Sequence, residues 1–172
     1  MSCCCCESKK ELSAKVAEAL KEKKPVMLAS LAQQFDVSEK QIAEAMPEDM
    51  AKVISGEHFA TVWAALTSWE KATFIVQHGG HVIEIKTRIA PGKFGHGYYN
   101  IMGQEAVGGH IKADAIAHIC FLSMPFMGLE SHSVQFFDAD GHVAFSIYAG
   151  RGDDRKILPE IRDSFLALKT SF

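Results

Sequence analysis

The order of elements along this chain predicts an α+β fold with an antiparallel sheet. Three observations carry that expectation. Apolar residues recur at helical spacing in roughly the first 50 residues and again near the end. Between them lie short runs of strand-forming residues, separated by turn signals such as Gly79-Gly80 and Ala139-Asp140-Gly141. The strands follow one another directly, with no helix between each pair, so the parallel βαβ pattern is absent.

Taken in order, residues 11–23 form the first predicted helix, with Leu12, Val16, Ala19 and Leu20 on one face; Lys24-Pro25 ends it. Met27, Leu28, Leu31, Ala32 and Phe35 mark a second helix. Ser38 and Gln41 have the spacing of a capping box, in which hydroxyl and amide satisfy each other's terminal backbone donors. The helix they open carries Ile42, Ala43 and Met46 and stops at Pro47. A fourth helix is expected over residues 58–70, with Phe59, Val62, Trp63, Leu66 and Trp69 as its stripe. Strands are then expected at 73–78 and 81–88, joined by the two-residue Gly79-Gly80 turn. Further strands follow at 97–102, 107–112, 116–123, 132–138 and 142–149. A closing helix over 154–169 buries Ile157, Leu158, Ile161, Phe165 and Leu168.

Composition divides the chain near residue 50. Residues 1–50 contain 7 Lys, no Arg, 9 acids and no His, whereas all 8 His fall between His58 and His142. The expected organisation is a flexible cysteine-rich tail at 1–8, a helical module at 9–50 and an α+β body at 51–172, forming one compact unit overall. The module has a helix–turn–helix outline, but its second helix presents Glu39 and Glu44, which would face phosphate. With a net charge of −3 for the whole chain, nucleic acid is not an expected partner. No run reaches the roughly 18 apolar residues of a membrane span, and the N-terminus lacks the basic and apolar regions of a secretory signal. A cytoplasmic location is therefore expected.

Cys3 to Cys6 are consecutive, which suits neither a disulfide framework nor a single tetrahedral metal site. Cys120 sits in an apolar strand, where a reactive thiolate is disfavoured. There is no Gly-x-Ser-x-Gly elbow and no phosphate-cradling glycine loop, so nucleophilic hydrolysis and nucleotide binding lack support.

Histidine is the conspicuous resource, suited to holding metals and haem iron. His58, His132 and His142 are expected at the surface, and His118 as a hydrogen-bonded core residue. His78 and His81 flank the Gly79-Gly80 turn, a weak metal signal by itself. His110 differs, because Gly108-Gly109 removes side chains beside its imidazole and lets a large flat ligand approach the backbone. Lys112 shares its strand face. Residues 93–99 add glycines, aromatics, His96 and Tyr98. These features fit either a haem-type site or a glycine-rich bend in a sheet.

The motifs Phe59-Ala60-Thr61-Val62-Trp63, His96-Gly97-Tyr98-Tyr99-Asn100, Gly109-His110-Ile111-Lys112-Ala113, Ser133-Val134-Gln135-Phe136-Phe137 and Gly150-Arg151-Gly152-Asp153-Asp154-Arg155 occur in that order. In this combination the chain resembles the intracellular haem-utilisation carrier proteins of the HutX/ChuX type, over roughly residues 27–170. The resemblance implies a split-barrel-like sheet equivalent to one half of the larger duplicated haem-utilisation proteins. It also implies haem as ligand, a homodimer, and transfer of haem to a haem-degrading or storage partner. It places candidate axial ligands at His110 and His78, with His81 competing for the second position. Tyr98 and His96 are further possible ligands, and Lys112 and Arg88 are available for propionates. A haem-degrading enzyme and a non-haem metal module using His78, His81 and His96 are the competing expectations.

Overall fold

The computed structural model describes residues 4–22 and 26–172, with side chains from residue 9 onward. Cys3, the first of the cysteine run, and the Lys24-Pro25 break fall outside them, and helix α1 spans Cys4–Lys21. Helix α2 (Leu28–Phe35) and helix α3 (Glu39–Ala45) follow. The Ser38 capping box is formed: Ser38 N–H donates to Gln41 Oε1 at 2.9 Å, and Gln41 N–H to Ser38 Oγ at 3.3 Å.

Two strands that sequence patterning did not indicate appear, β1 (Ala51–Ser55) and β4 (Gly92–Gly95). Helix α4 (Phe59–Leu66) is shorter than expected, because the Thr67 and Ser68 hydroxyls take the carbonyls of Ala64 and Ala65 and turn the chain. The remaining strands are β2 (Ala72–His78), β3 (His81–Thr87), β5 (Tyr98–Ile101), β6 (Gly109–Ile111), β7 (His118–Ser123), β8 (His132–Phe137) and β9 (Val143–Ala149). Helix α5 spans Pro159–Ser171, starting five residues later than expected. Residues 151–157 instead form a loop closed by the Arg151–Ile157 bridge, and Pro159 takes the first helical turn, where its missing N–H costs nothing.

All strand pairs are antiparallel. Six strands form one sheet in the order β1-β7-β8-β9-β2-β3, and β4-β5-β6 form a smaller one. The α+β antiparallel expectation holds. Strand alternation gives the large sheet two cores. On one face Ile119, Phe121, Val134, Phe136, Phe145 and Ile147 pack with Phe59, Trp63 and Phe165 from α4 and α5. On the other, Cys120, Leu122 and Phe137 pack with Val16, Leu31 and Ile42 from α1 to α3. The helix–turn–helix outline therefore presents its apolar residues to this sheet, and the Glu39 carboxylate accepts the Val143 N–H at 2.8 Å.

The small sheet is anchored to the first core through Tyr99, whose ring lies 5.2 Å from Phe59 and 6.0 Å from Trp63. The buried Trp63 indole N–H donates to the Ala90 carbonyl at 2.9 Å, fixing the approach to β4. Among the described residues no helix is long and apolar enough to cross a membrane.

Candidate functional site

The small sheet decides where His110 points. Asn100 in β5 pairs with His110 in β6, and Tyr99 with Ile111. Residues paired across strands share a face, and faces alternate along each strand. Because Tyr99 turns into the core, Tyr98, Asn100 and His110 turn out to solvent. The Tyr98 and His110 rings lie 5.9 Å apart, and His110 Nδ1 is 2.6 Å from Asn100 Oδ1.

The backbone beside His110 is bare. A Cβ at Gly108 or Gly109 would meet nothing within 4 Å. Packing therefore does not exclude a side chain at Gly108, whereas Gly109 has a φ of +130° that glycine alone adopts readily. Lys112 is exposed, its ammonium 3.1 Å from Asp114 Oδ2. His96 and Gly97, with φ values of 53° and 80°, form the two-residue turn between β4 and β5. The imidazole of His96 is exposed there.

His78 lies elsewhere. It faces His81 across the last rung of the β2–β3 hairpin, whose Gly79-Gly80 turn has φ values of 57° and 81°. Strand β2 pairs with β9 only as far as Ile75, so the end of the hairpin projects past the sheet, with Val82 54% and Ile83 58% exposed. Arg88 is exposed just after β3. The structure thus brings together His110, Tyr98 and Asn100. Among the described residues, no hydrogen bond, ion pair or ring contact joins His78, His96 or Arg88 to that group. Nor does any group of three His, Cys, Asp or Glu side chains among the described residues form a metal cage.

Three histidine and cysteine environments qualify the sequence reading. His132, expected in water, is buried: its ring stacks on Phe165 at 4.7 Å, and its nitrogens lie 3.0 Å from Ser123 Oγ and from Glu130 Oε1. Burial lowers its pKa, with the Glu130 carboxylate acting the other way. His118 is only half-buried, and its Nδ1 has no partner, contrary to the expected hydrogen-bonded core histidine. Burial lowers its pKa too. The Cys120 thiol is fully buried, and burial pushes its pKa up to about 12, so it is not a nucleophile.

A cleft of about 640 Å³ lies on the opposite face of the large sheet, lined by Met27, Lys86, Phe126, Gln135, Tyr148 and Arg155 among others. None of the six expected site residues lines it. It contains no imidazole, and burial raises the pKa of Tyr148, keeping its phenol protonated. The cleft is large enough for a small ligand.

Asn100 is the residue of this site that sequence reasoning missed. It stands within the His96–Asn100 motif, but its role depends on the β5–β6 register.

Comparison with known proteins agrees with the resemblance. Residues 52–168 match the family described as haem utilisation ChuX/HutX. The intracellular heme transport protein HutX of Vibrio cholerae is 38% identical over 159 residues, covering 92% of this chain and 82% of that protein. A crystal structure of a protein from Erwinia carotovora superposes with a TM-score of 0.86 at 31% identity, covering 93% of this chain and 97% of the other. The structure of the heme-binding protein ChuX gives 0.83 at 29%, covering 91% and 97%. At 16% identity, holo-PhuS of Pseudomonas aeruginosa shares the fold alone, with a TM-score of 0.73 over 89% of this chain and 44% of that one. That coverage agrees with the expected likeness to about half of a larger protein.

Proposed function

Since this chain belongs to the haem utilisation ChuX/HutX family, we propose that it is a cytoplasmic haem carrier, which binds haem and passes it to a haem-degrading or storage partner. The observation that carries this reading is an exposed imidazole, His110, beside backbone that carries no side chains at Gly108 and Gly109. Such a surface leaves room for a porphyrin, whose iron the His110 imidazole would hold, with the Tyr98 ring close by. Lys112, two residues from His110, is a cation available for a propionate, since an exposed pair such as Lys112–Asp114 is easily exchanged, and the exposed Arg88 is the second candidate.

An open surface with one firm ligand suits a protein that must release its cargo. His78 is the second candidate ligand, with His81, Tyr98 and His96 as the others. A homodimer accords with this arrangement: the projecting β2–β3 hairpin exposes Val82 and Ile83, and a second copy would cover them. A carrier also needs no general acid, base or nucleophile at the site.

The test is a haem titration of the apo-protein followed at the Soret band, alongside His110→Ala and His78→Ala. Saturation near one haem per chain is expected, weakened or spectrally altered by His110→Ala. No Soret shift at all would refute haem carriage. Incubation of the complex with a reductant separates carrier from enzyme: haem should survive, and a biliverdin-like product would refute the non-enzymatic reading. Light scattering of the apo-protein should give twice the chain mass.

A further inference from the structure

We infer that Asn100 is a positioning residue that holds His110 in the tautomer with Nδ1 protonated and Nε2 bare, so that an arriving iron meets a lone pair. The inference rests on the reading of His110 as an iron ligand, and it adds the device that prepares this ligand before haem arrives.

The orientation of the Asn100 amide is fixed by its surroundings. Its Nδ2 lies 3.0 Å from the Gly95 carbonyl oxygen, 3.2 Å from that of Tyr98 and 3.3 Å from that of Lys93. Three acceptors surround one end of the amide, so that end must be the NH₂; the flipped amide would set oxygen against three oxygens. Oδ1 is thereby aimed at His110 Nδ1, 2.6 Å away. An amide oxygen has no hydrogen to give, so the hydrogen in this bond sits on Nδ1. A neutral imidazole carries a single N–H, which leaves Nε2 as the lone pair.

Two of the three carbonyls belong to β4 and the third to the start of β5. Folding of the small sheet therefore sets the amide, and the amide sets the histidine. Without Asn100 the exposed ring would be free to rotate and to adopt the Nε2–H form that a free imidazole side chain favours in water. Iron would then have to displace a proton or wait for the ring to exchange. Metal-bound histidines commonly have their other nitrogen held in this way, and loss of the holding partner typically weakens the metal by about 10- to 100-fold.

The experiment uses the ¹⁵N-labelled full-length apo-protein at pH 8.5, about two units above the pKa of a free imidazole. Long-range ¹H–¹⁵N spectra identify the protonated nitrogen of each histidine, and His110→Ala assigns the signal of His110. The expected result is Nδ1–H in the parent protein and a shift towards Nε2–H in Asn100→Ala, with the other histidine signals unmoved. Asn100→Asp still offers an acceptor to Nδ1–H and should restore the parent tautomer, with a lowered Tm because its second oxygen faces the three carbonyls. In the haem titration Asn100→Ala should bind about 10- to 100-fold more weakly, and the iron–histidine stretch of the ferrous complex should rise from Ala to Asn to Asp.

A parent protein with His110 in the Nε2–H form overturns the inference, whatever the haem result. So does Asn100→Ala that keeps the parent tautomer, or that binds haem with parent affinity while His110→Ala does not. If His110→Ala binds haem with parent affinity and spectrum, the ligand assignment fails instead, and the tautomer result in the apo-protein stands apart from it.

Discussion

Gly108 and Gly109 offer a way to separate folding from binding at adjacent positions. A side chain at Gly108 would meet open space, and its backbone lies outside the left-handed region. Gly108→Leu should therefore change stability by no more than about 0.5 kcal/mol, as for an ordinary surface substitution. Gly109 has a φ of +130°, so Gly109→Ala forces a strained backbone costing about 1–3 kcal/mol. At roughly 2–4 °C of Tm per kcal/mol for a chain of this size, Gly109→Ala should melt about 2–12 °C lower, and Gly108→Leu within about 2 °C of the parent. Haem should respond differently. If His110 holds the iron as proposed, the leucine would crowd the porphyrin and should weaken binding at least ~10-fold, or about 1.4 kcal/mol. Circular-dichroism melts and Soret titrations of both variants provide the assay. Parent-like haem affinity and spectrum in Gly108→Leu would refute the proposal that a flat ligand covers this backbone. A drop of more than ~5 °C in the same variant would show that the position is not open.

Other expectations concern the scaffold. His132 and His118 both have pKa values lowered by burial, so the unfolded chain takes up protons before the folded one does as pH falls below about 6.5. Stability should be fully present above that value and decline below it, and His132→Phe should flatten the slope in a pH series of melts; an unchanged slope would remove His132 from the account. Trp63→Phe leaves the Ala90 carbonyl without its indole partner and opens a gap beside Phe59 and Tyr99. It should cost about 2–4 kcal/mol by urea denaturation; a loss under ~1 kcal/mol would contradict the anchoring role. Gly56→Ala would drive a Cβ into the carbonyl of Ile116, where backbone cannot yield, and should sharply reduce the soluble yield. Parent-like expression and Tm would show that this contact is slack.

Much of this architecture was legible because it is set by local chemistry. Ser38 and Gln41 cap a helix within four residues of one another, and Gly79-Gly80 requires only its own φ angles. Phe145 and Ile147 share a face as strand alternation requires, although a bulge between Phe136 and Phe137 sets Val143 against the opposite core. The misreadings arise where distant segments decide. His132 opens a strand like any surface residue, but α5 lays Phe165 across its ring. The closing helix reads as starting at residue 154, yet the Arg151–Ile157 bridge ties that stretch into a loop. Strand β1 is short and part-polar, and its existence depends on pairing with β7, far along the chain. At the site, His110 could be singled out from its glycines. Asn100 could not, because its three carbonyl partners meet only when β4 and β5 close on each other.

The composition boundary near residue 50 is not a line along which the protein can be cut. Cys120, Leu122 and Phe137, each no more than 3% exposed, owe that burial to α1–α3. A fragment starting at residue 51 would keep the His110 surface intact on one side while presenting a greasy plane on the other. Such a fragment would be expected to aggregate before its binding could be measured. Helices α1–α3 thus cover this plane, and truncations meant to isolate the carrier body should retain them.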